Sequence, residues 1–211
     1  YKKGDRLDQG TWGMQCIGMF RNYQDIDEYF TKYNITSYMG YAKEDVKPGM
    51  LIYKDVRGER QADGTYAAPD GVVSTENDQV RLSNRSNPYS MTMNLNAEWK
   101  GISLTAQFNA SWGGYSFLPD DAISLGNQGT SANKYNDLEY ANMPSFWNTD
   151  NMFVYNDVVD AAGNIVVKAN RNGKYPNLRW SSVNAVQSSF WRVSGTRIKM
   201  SRLTLAYRIP S

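Results

Sequence analysis

From Met91 to Trp112 the chain alternates strictly between apolar and polar positions. Met91, Met93, Leu95, Ala97 and Trp99 occupy every second place, and the alternation resumes after Lys100-Gly101 with Ile102, Leu104, Ala106, Phe108, Ala110 and Trp112. A period of two predicts β-strands over 89–99 and 102–112, and the Lys-Gly pair predicts a two-residue turn joining them. Such a turn sets Trp99 opposite Ile102, Ala97 opposite Leu104, Leu95 opposite Ala106 and Met93 opposite Phe108, all on one side. The other side then carries Glu98 with Ser103, Asn96 with Thr105 and Asn94 with Gln107. A slip of one residue would exchange the two faces, so the pattern specifies the register.

The polar face consists of amides and hydroxyls with almost no charge, whereas a sheet facing bulk water usually presents Lys and Glu. Ten residues rising about 3.3 Å each and tilted by about 40° climb roughly 25 Å, the height of the apolar band of an outer-membrane barrel. Trp99 near the turn and Trp112 at the far end fall where two membrane girdles belong. A soluble β-sandwich core fits the alternation too. Strand length, the two Trp positions and the neutral polar face favour the membrane.

Two more strands are predicted. The first, 11–20, holds Trp12, Met14 and Cys16 on one parity. In the second, 190–209, Leu203, Leu205, Tyr207 and Ile209 alternate with Thr204, Ala206 and Arg208. Ile198 and Met200 fall on the opposite parity, which predicts a bulge near Ser201-Arg202, and Pro210 ends the strand. The stretches between, 21–88 and 113–189, far exceed ordinary connections and are read as long loops. The first opens on a helical pattern, with Ile26, Tyr29, Phe30 and Tyr33 on one face and Asn22 and Asp25 at its start. A tight turn on one side and long loops on the other is the asymmetry of outer-membrane barrels. Four strands cannot close a barrel and would leave open edges in lipid, so a larger whole is expected.

Composition narrows the chemistry. The 211 residues include 23 Lys and Arg against 21 Asp and Glu, a net charge of +2, with no basic stripe to argue for nucleic acid. Cys16 is the sole cysteine, which excludes an intrachain disulfide and a cysteine-bound zinc. Histidine is absent, so the commonest general base and metal ligand is missing, and no catalytic residue is expected. No apolar run reaches transmembrane-helix length, and the first ten residues have no leader-like apolar core. Rings are abundant, with 15 Tyr and 6 Trp. Trp112, Tyr115, Phe117, Phe146, Trp147, Tyr175 and Trp180 are candidates for stacking on a sugar or peptide. The competing reading makes Trp112 girdle and the others packing within the long loop. Asp120 and Asp121 are candidates to bind sugar hydroxyls, but adjacent carboxylates on extended chain diverge and do not make a hydrolytic pair. Lys2, Lys3, Arg6, Arg197, Lys199 and Arg202 are read as rim or lumen charges rather than as a site for anionic lipid.

The ordered stretches "GMFRNYQDIDEY", "VKPGMLIYKDVRG", "NPYSMTMNLNAEWKGISLTAQFNASWGG" and "SFWRVSGTRIKMSRLTLAYRIP" span nearly the whole chain. Together they resemble the C-terminal barrel region of the SusC/RagA family of TonB-dependent outer-membrane transporters. The resemblance implies an all-β chain that forms part of a 22-stranded transmembrane barrel with long extracellular loops. It implies a home in the outer membrane of a Gram-negative bacterium and import of glycans or peptides without enzymatic activity. The implied partners are a SusD-like surface lipoprotein as lid and the TonB complex. The plug domain, TonB box and signal peptide would precede this segment, and further closing strands would follow it. One departure concerns Asp55-Val56-Arg57-Gly58, where the family often has a calcium-like Asp-x-Asn-Gly loop. Arg57 places a cation where an oxygen ligand belongs, so no calcium is expected at Asp55 and no cofactor elsewhere.

Overall fold

The computed structural model describes residues 10–83, 87–118, 123 and 147–209. It is rich in strands, with short helices, and none of its helices is long and apolar enough to cross a membrane, which has no bearing on crossing by strands. In chain order the strands are β1 (Thr11–Met14), β2 (Cys16–Met19), β3 (Ser37–Tyr38), β4 (Leu51–Tyr53), β5 (Val72–Val73), β6 (Gln79–Ser83), β7 (Tyr89–Trp99), β8 (Ile102–Trp112), β9 (Tyr115–Phe117), β10 (Val158–Val159), β11 (Ile165–Val167), β12 (Arg192–Ser194) and β13 (Arg197–Tyr207). Helix α1 is Tyr23–Tyr33, and the single turn α2 is Ser181–Asn184. The chain divides into two compact units. One comprises 1–11, 83–117 and 192–211; the other comprises 12–82 and 118–191.

The first unit is built on the sheet β13-β8-β7, whose three strands have 11 residues each. The pair β7–β8 runs from Trp99↔Ile102 to Tyr89↔Trp112 without irregularity. Lys100 and Gly101 both take positive φ, 47° and 82°, the conformation of a type I′ turn whose twist matches the flanking strands. Glycine tolerates that geometry freely, and the Lys100 ammonium lies 4.8 Å above the Trp99 ring. Strand β13 pairs antiparallel with β8, and the register shifts between Met200 and Arg202. Ser201 is thus the extra residue of a bulge. Its effect is to bring Ile198 and Met200, of one parity, and Leu203, Leu205 and Tyr207, of the other, onto the face that carries Ile102, Leu104, Ala106, Phe108 and Ala110.

That face is not covered. Of the sheet's residues only Ala106 is buried, while Leu95 is 49% exposed, Leu203 60%, Leu205 72% and Ile198 75%. The opposite face is tied together by side chains. Thr92 donates to Asn109 Oδ1 (2.8 Å), Asn109 donates to Ser201 Oγ (2.8 Å), and Arg197 Nε donates to Ser111 Oγ (3.1 Å). The stretch predicted as one strand over 190–209 is interrupted: Ser189–Trp191 form a 3-10 turn, and Gly195-Thr196 separate β12 from β13. There Gly195 N–H donates to Gly114 O (2.9 Å), and Asn87 Nδ2 donates to Gly195 O (2.8 Å).

The second unit corrects the sequence reading most. The described residues within 21–88 and 113–189, read as loops, supply most of a folded body whose core holds Ile26, Tyr29, Phe30, Tyr38, Met50, Leu51, Tyr53, Phe153 and Val183, together with Met14 and Phe20 from the preceding stretch. Helix α1 enters it through Asn22, whose side chain accepts from Asp25 N–H (2.9 Å), and leaves through Asn34 in the left-handed conformation. Ile26, Tyr29 and Phe30 face inward, whereas Tyr33 is 44% exposed. Rings of Phe20, Tyr29 and Tyr38 meet edge to face at 5.5–5.9 Å. Buried tyrosine hydroxyls are all used: Tyr29 donates to Tyr53 O, Tyr38 to Leu51 O, and Tyr53 to Val183 O.

The predicted strand 11–20 is two strands broken at Gln15. β1 pairs with β6, and β2 pairs with β4. Met14 N–H donates to Gln187 O (2.8 Å) and Cys16 N–H to Ser189 Oγ (2.9 Å), so this stretch is held by the body of the second unit. Its alternating pattern reflects burial of Met14 there. A buried strand against a local core and a lipid-facing strand look alike in sequence.

Candidate functional site

One concavity of the second unit starts from the 3-10 turn Leu178–Trp180. Asn177 caps it, its side chain accepting from Arg179 N–H (2.9 Å), and its own N–H donates to Gly49 O (3.2 Å). This anchoring projects Trp180 and Arg179 from one wall, with the guanidinium 5.5 Å from the Trp180 ring. The facing wall comes from Val154–Val158. There Asn170 N–H and Val154 N–H exchange bonds with the opposite carbonyls (2.7 and 3.0 Å), and Asp157 accepts from Ala169 N–H (2.6 Å). Tyr155 stands perpendicular to Tyr23 of α1 at 5.6 Å and is covered by the Arg171 guanidinium at 4.4 Å. Arg171 Nε also donates to Tyr155 O (3.0 Å), which locks that ring in place.

The resulting cleft holds about 410 Å³, within the usual range for small-molecule sites. Tyr23, Tyr155 and Trp180 supply ring faces and edges. Asn156, Asp157, Asn177, Arg179 and Lys47 supply polar groups. Rings beside amides and a carboxylate are the chemistry that binds a sugar, with stacking on apolar C–H faces and hydrogen bonds to hydroxyls.

Of the residues singled out from sequence, Trp180 lies in this cleft. Trp147 is 7% exposed and packs at 5.8 Å against both Trp191 and Tyr175, so its ring builds a second small core with Ile123. Trp112 and Tyr115 belong to the first unit. Trp112, 40% exposed, stacks on Tyr89 at 6.0 Å, and the Arg192 guanidinium covers Tyr115 at 4.1 Å. Phe117, in β9, pairs with Arg192 and is half-buried. Trp99 is 67% exposed beside the turn. Asp120 and Asp121 lie outside the described residues. Tyr23, Tyr155, Asn177 and Arg179 escaped the sequence reading because they come from three separate parts of the chain, Asn177 and Arg179 sharing one turn. The only local signal was the turn-forming "YPNLRW".

The Asp55 loop is organised by backbone donors. Asp78, fully buried, accepts from Val56, Arg57 and Ser74 N–H groups at 2.7, 3.2 and 2.8 Å, and Asp55 accepts from Gly71 N–H at 2.8 Å. Arg57 turns aside to donate to Asn77 O and Gln79 O and lies over the Tyr66 ring. Burial first, and then the nearby Asp78 and Asp70 carboxylates, raise the Asp55 carboxyl above its ordinary value despite the Gly71 bond. Among the described residues no three Asp, Glu, Cys or His side chains converge as a metal site.

No protein-family model matches this chain, and no curated protein matches it.

Proposed function

We propose that this chain is a wall-and-loop segment of a SusC-like, TonB-dependent outer-membrane transporter that imports glycans or peptides beneath a SusD-like lid. The observation that carries the reading is the uncovered apolar face of β7, β8 and β13. In water it would be a continuous patch from Met91 to Tyr207, of a kind that soluble monomers rarely expose. In lipid it is the outer surface of a barrel wall. Eleven residues at about 3.4 Å each, tilted about 40°, climb roughly 28 Å, enough to cross the hydrocarbon. Trp99 and Trp112 mark the two ends of β8's hairpin, at the levels of the aromatic girdles. The alternative, a soluble β-sandwich that binds glycans, needs a second layer over this face, and the high exposure of Leu203 and Leu205 speaks against it.

In this reading the folded second unit belongs to the extracellular side, and its cleft offers ligand contacts through Trp180, Tyr155 and Tyr23. Truncation of the Trp180 ring is expected to weaken oligosaccharide binding by about fivefold, since stacking on one ring contributes about 1 kcal/mol, and to lower stability as well, because the half-buried ring also packs against the core of the second unit. Titration of wild type and Trp180→Ala over a panel of neutral and acidic hexasaccharides checks this. The membrane assignment is tested on the full-length protein folded into vesicles that contain lipids brominated at a known acyl depth. Trp99 and Trp112 fluorescence should be quenched by shallow bromines and spared by bromines at the bilayer centre. A protein that stays monodisperse without detergent and shows no quenching overturns the reading.

A further inference from the structure

The polar face of the sheet has a charge pattern that the neutral ladder of β7 and β8 does not foreshadow. Reading across β7, β8 and β13, one row holds Ser90, Ser111 and Arg197, the next Thr92, Asn109 and Lys199, and the next Asn94, Gln107 and Arg202. Each row ends in a cation, and successive rows stand about 7 Å apart, two residues along β8. The bulge at Ser201 is what keeps Arg202 on this face with the other two. Among the described residues none of the three forms an ion pair with a carboxylate. Glu98, the acid on this face, sits with Ser103 and Ala206, two rows beyond Arg202. A groove of about 410 Å³ lies over the first two rows, lined by Ser90, Thr92, Asn109, Ser111, Arg197 and Lys199 together with Met91 and Ala110, whose places in the alternation belong to the other face.

Three like charges on one strand repel each other unless an anion joins them. The groove shows which anion. Beside each cation stand uncharged donors and acceptors fixed in place, Thr92 to Asn109 at 2.8 Å and Arg197 to Ser111 at 3.1 Å. Ala206 is the lone apolar side chain of the three strands on this face, and no ring points there, so the surface has nothing to hold the apolar side chains of a peptide. From this geometry we infer that Arg197, Lys199 and Arg202, with Thr92, Asn109 and Ser111, form a subsite for an acidic oligosaccharide, one whose repeating carboxylates meet the cations while its hydroxyls meet the amides. The inference rests on the transporter reading, in which this face lines a watery lumen, and it names the class of glycan carried.

The test is calorimetric titration of the full-length protein in detergent with a galacturonate hexamer, the neutral galactose hexamer of the same linkage, and a hexaglutamate peptide. The uronate is expected to bind at least tenfold more tightly than the neutral sugar at low salt, and the advantage should shrink as salt rises. The double variant Arg197→Gln, Lys199→Gln should erase that advantage, whereas Thr204→Gln, two residues beyond Arg202 on the same face, should keep it. Equal affinity for acidic and neutral hexamers, no binding of the uronate, or an advantage that survives the double variant overturns the subsite. Tighter binding of hexaglutamate overturns its assignment to sugars. A loss of thermal stability in the double variant with unchanged affinity assigns the cations to another segment of the protein and overturns it too. Because binding is measured in detergent, these outcomes are read separately from the bromolipid result.

Discussion

Leu95→Arg is expected to lower the equilibrium constant for folding of the full-length protein into a membrane by at least thirtyfold. Leu95 lies in the middle row of the apolar face, opposite Ala106, which in turn faces Leu203. In the proposed barrel wall, an arginine at that level of a tilted 11-residue strand would meet the centre of the bilayer, where such a substitution in outer-membrane barrels costs about 2–4 kcal/mol. The neighbouring Asn94→Arg places the same charge on the opposite face, in the row of Gln107 and Arg202. In the same proposal it would stay in water and should cost less than about 1 kcal/mol, its main penalty being repulsion from Arg202. Folding of both variants into short-chain lipid vesicles, followed by urea titration of the protease-resistant barrel, separates the two faces. Equal tolerance of both charges would remove the bilayer from the explanation.

In the second unit the largest loss is expected from Asn184→Leu, a change that keeps the branched shape and the number of heavy atoms. Asn184 is 3% exposed and links three segments. Its Oδ1 accepts from Leu51 N–H (2.8 Å), and its Nδ2 donates to Gly49 O (2.9 Å) and Asn177 O (2.8 Å). Leucine would leave the buried Leu51 N–H without this partner and take one of two donors from each carbonyl, Gly49 O keeping Asn177 N–H and Asn177 O keeping Trp180 N–H, so a loss of roughly 2–4 kcal/mol is expected. Since Asn177 caps the turn that carries Trp180, the cleft should lose affinity along with stability. Hydrogen exchange is the direct readout: the Leu51 amide should lose protection, while amides of β7 and β8 keep theirs. Asn164→Ala, at an exposed turn where Asn164 donates to Asp160, is the matched control and should shift stability by less than about 1 kcal/mol. A loss in Asn184→Leu no larger than the control's would mean that water or backbone relaxation replaces the three bonds.

The hairpin was legible because its signal is local and redundant. Alternation, the Lys-Gly turn and the two terminal Trp residues each point to the same register, and a slip would invert every side chain. The bulge was legible too, from the parity change between Met200 and Leu203. The start of helix α1 could be read from Asn22 and its face from Ile26, Tyr29 and Phe30. The second unit could not be read. Its strands have two to five residues, too short for a period to emerge, and its core pairs residues 130 or more positions apart, such as Tyr53 with Val183 and Leu51 with Asn184. The same distance hid the cleft, and Trp147 and Trp180, equivalent in sequence, were separated only by what packs on them.

By itself, then, the order of residues determined a polar face and an apolar face, the turn that joins β7 to β8, and a helix with its cap. Each of these follows from backbone periodicity and from side chains within a few positions of one another. Tertiary structure alone decided which candidate rings are buried, which polar groups share a cleft, and which strand brings Arg197, Lys199 and Arg202 beside Asn109 and Ser111. Those outcomes depend on contacts closed across long loops, and loop closure leaves no periodic trace in a sequence.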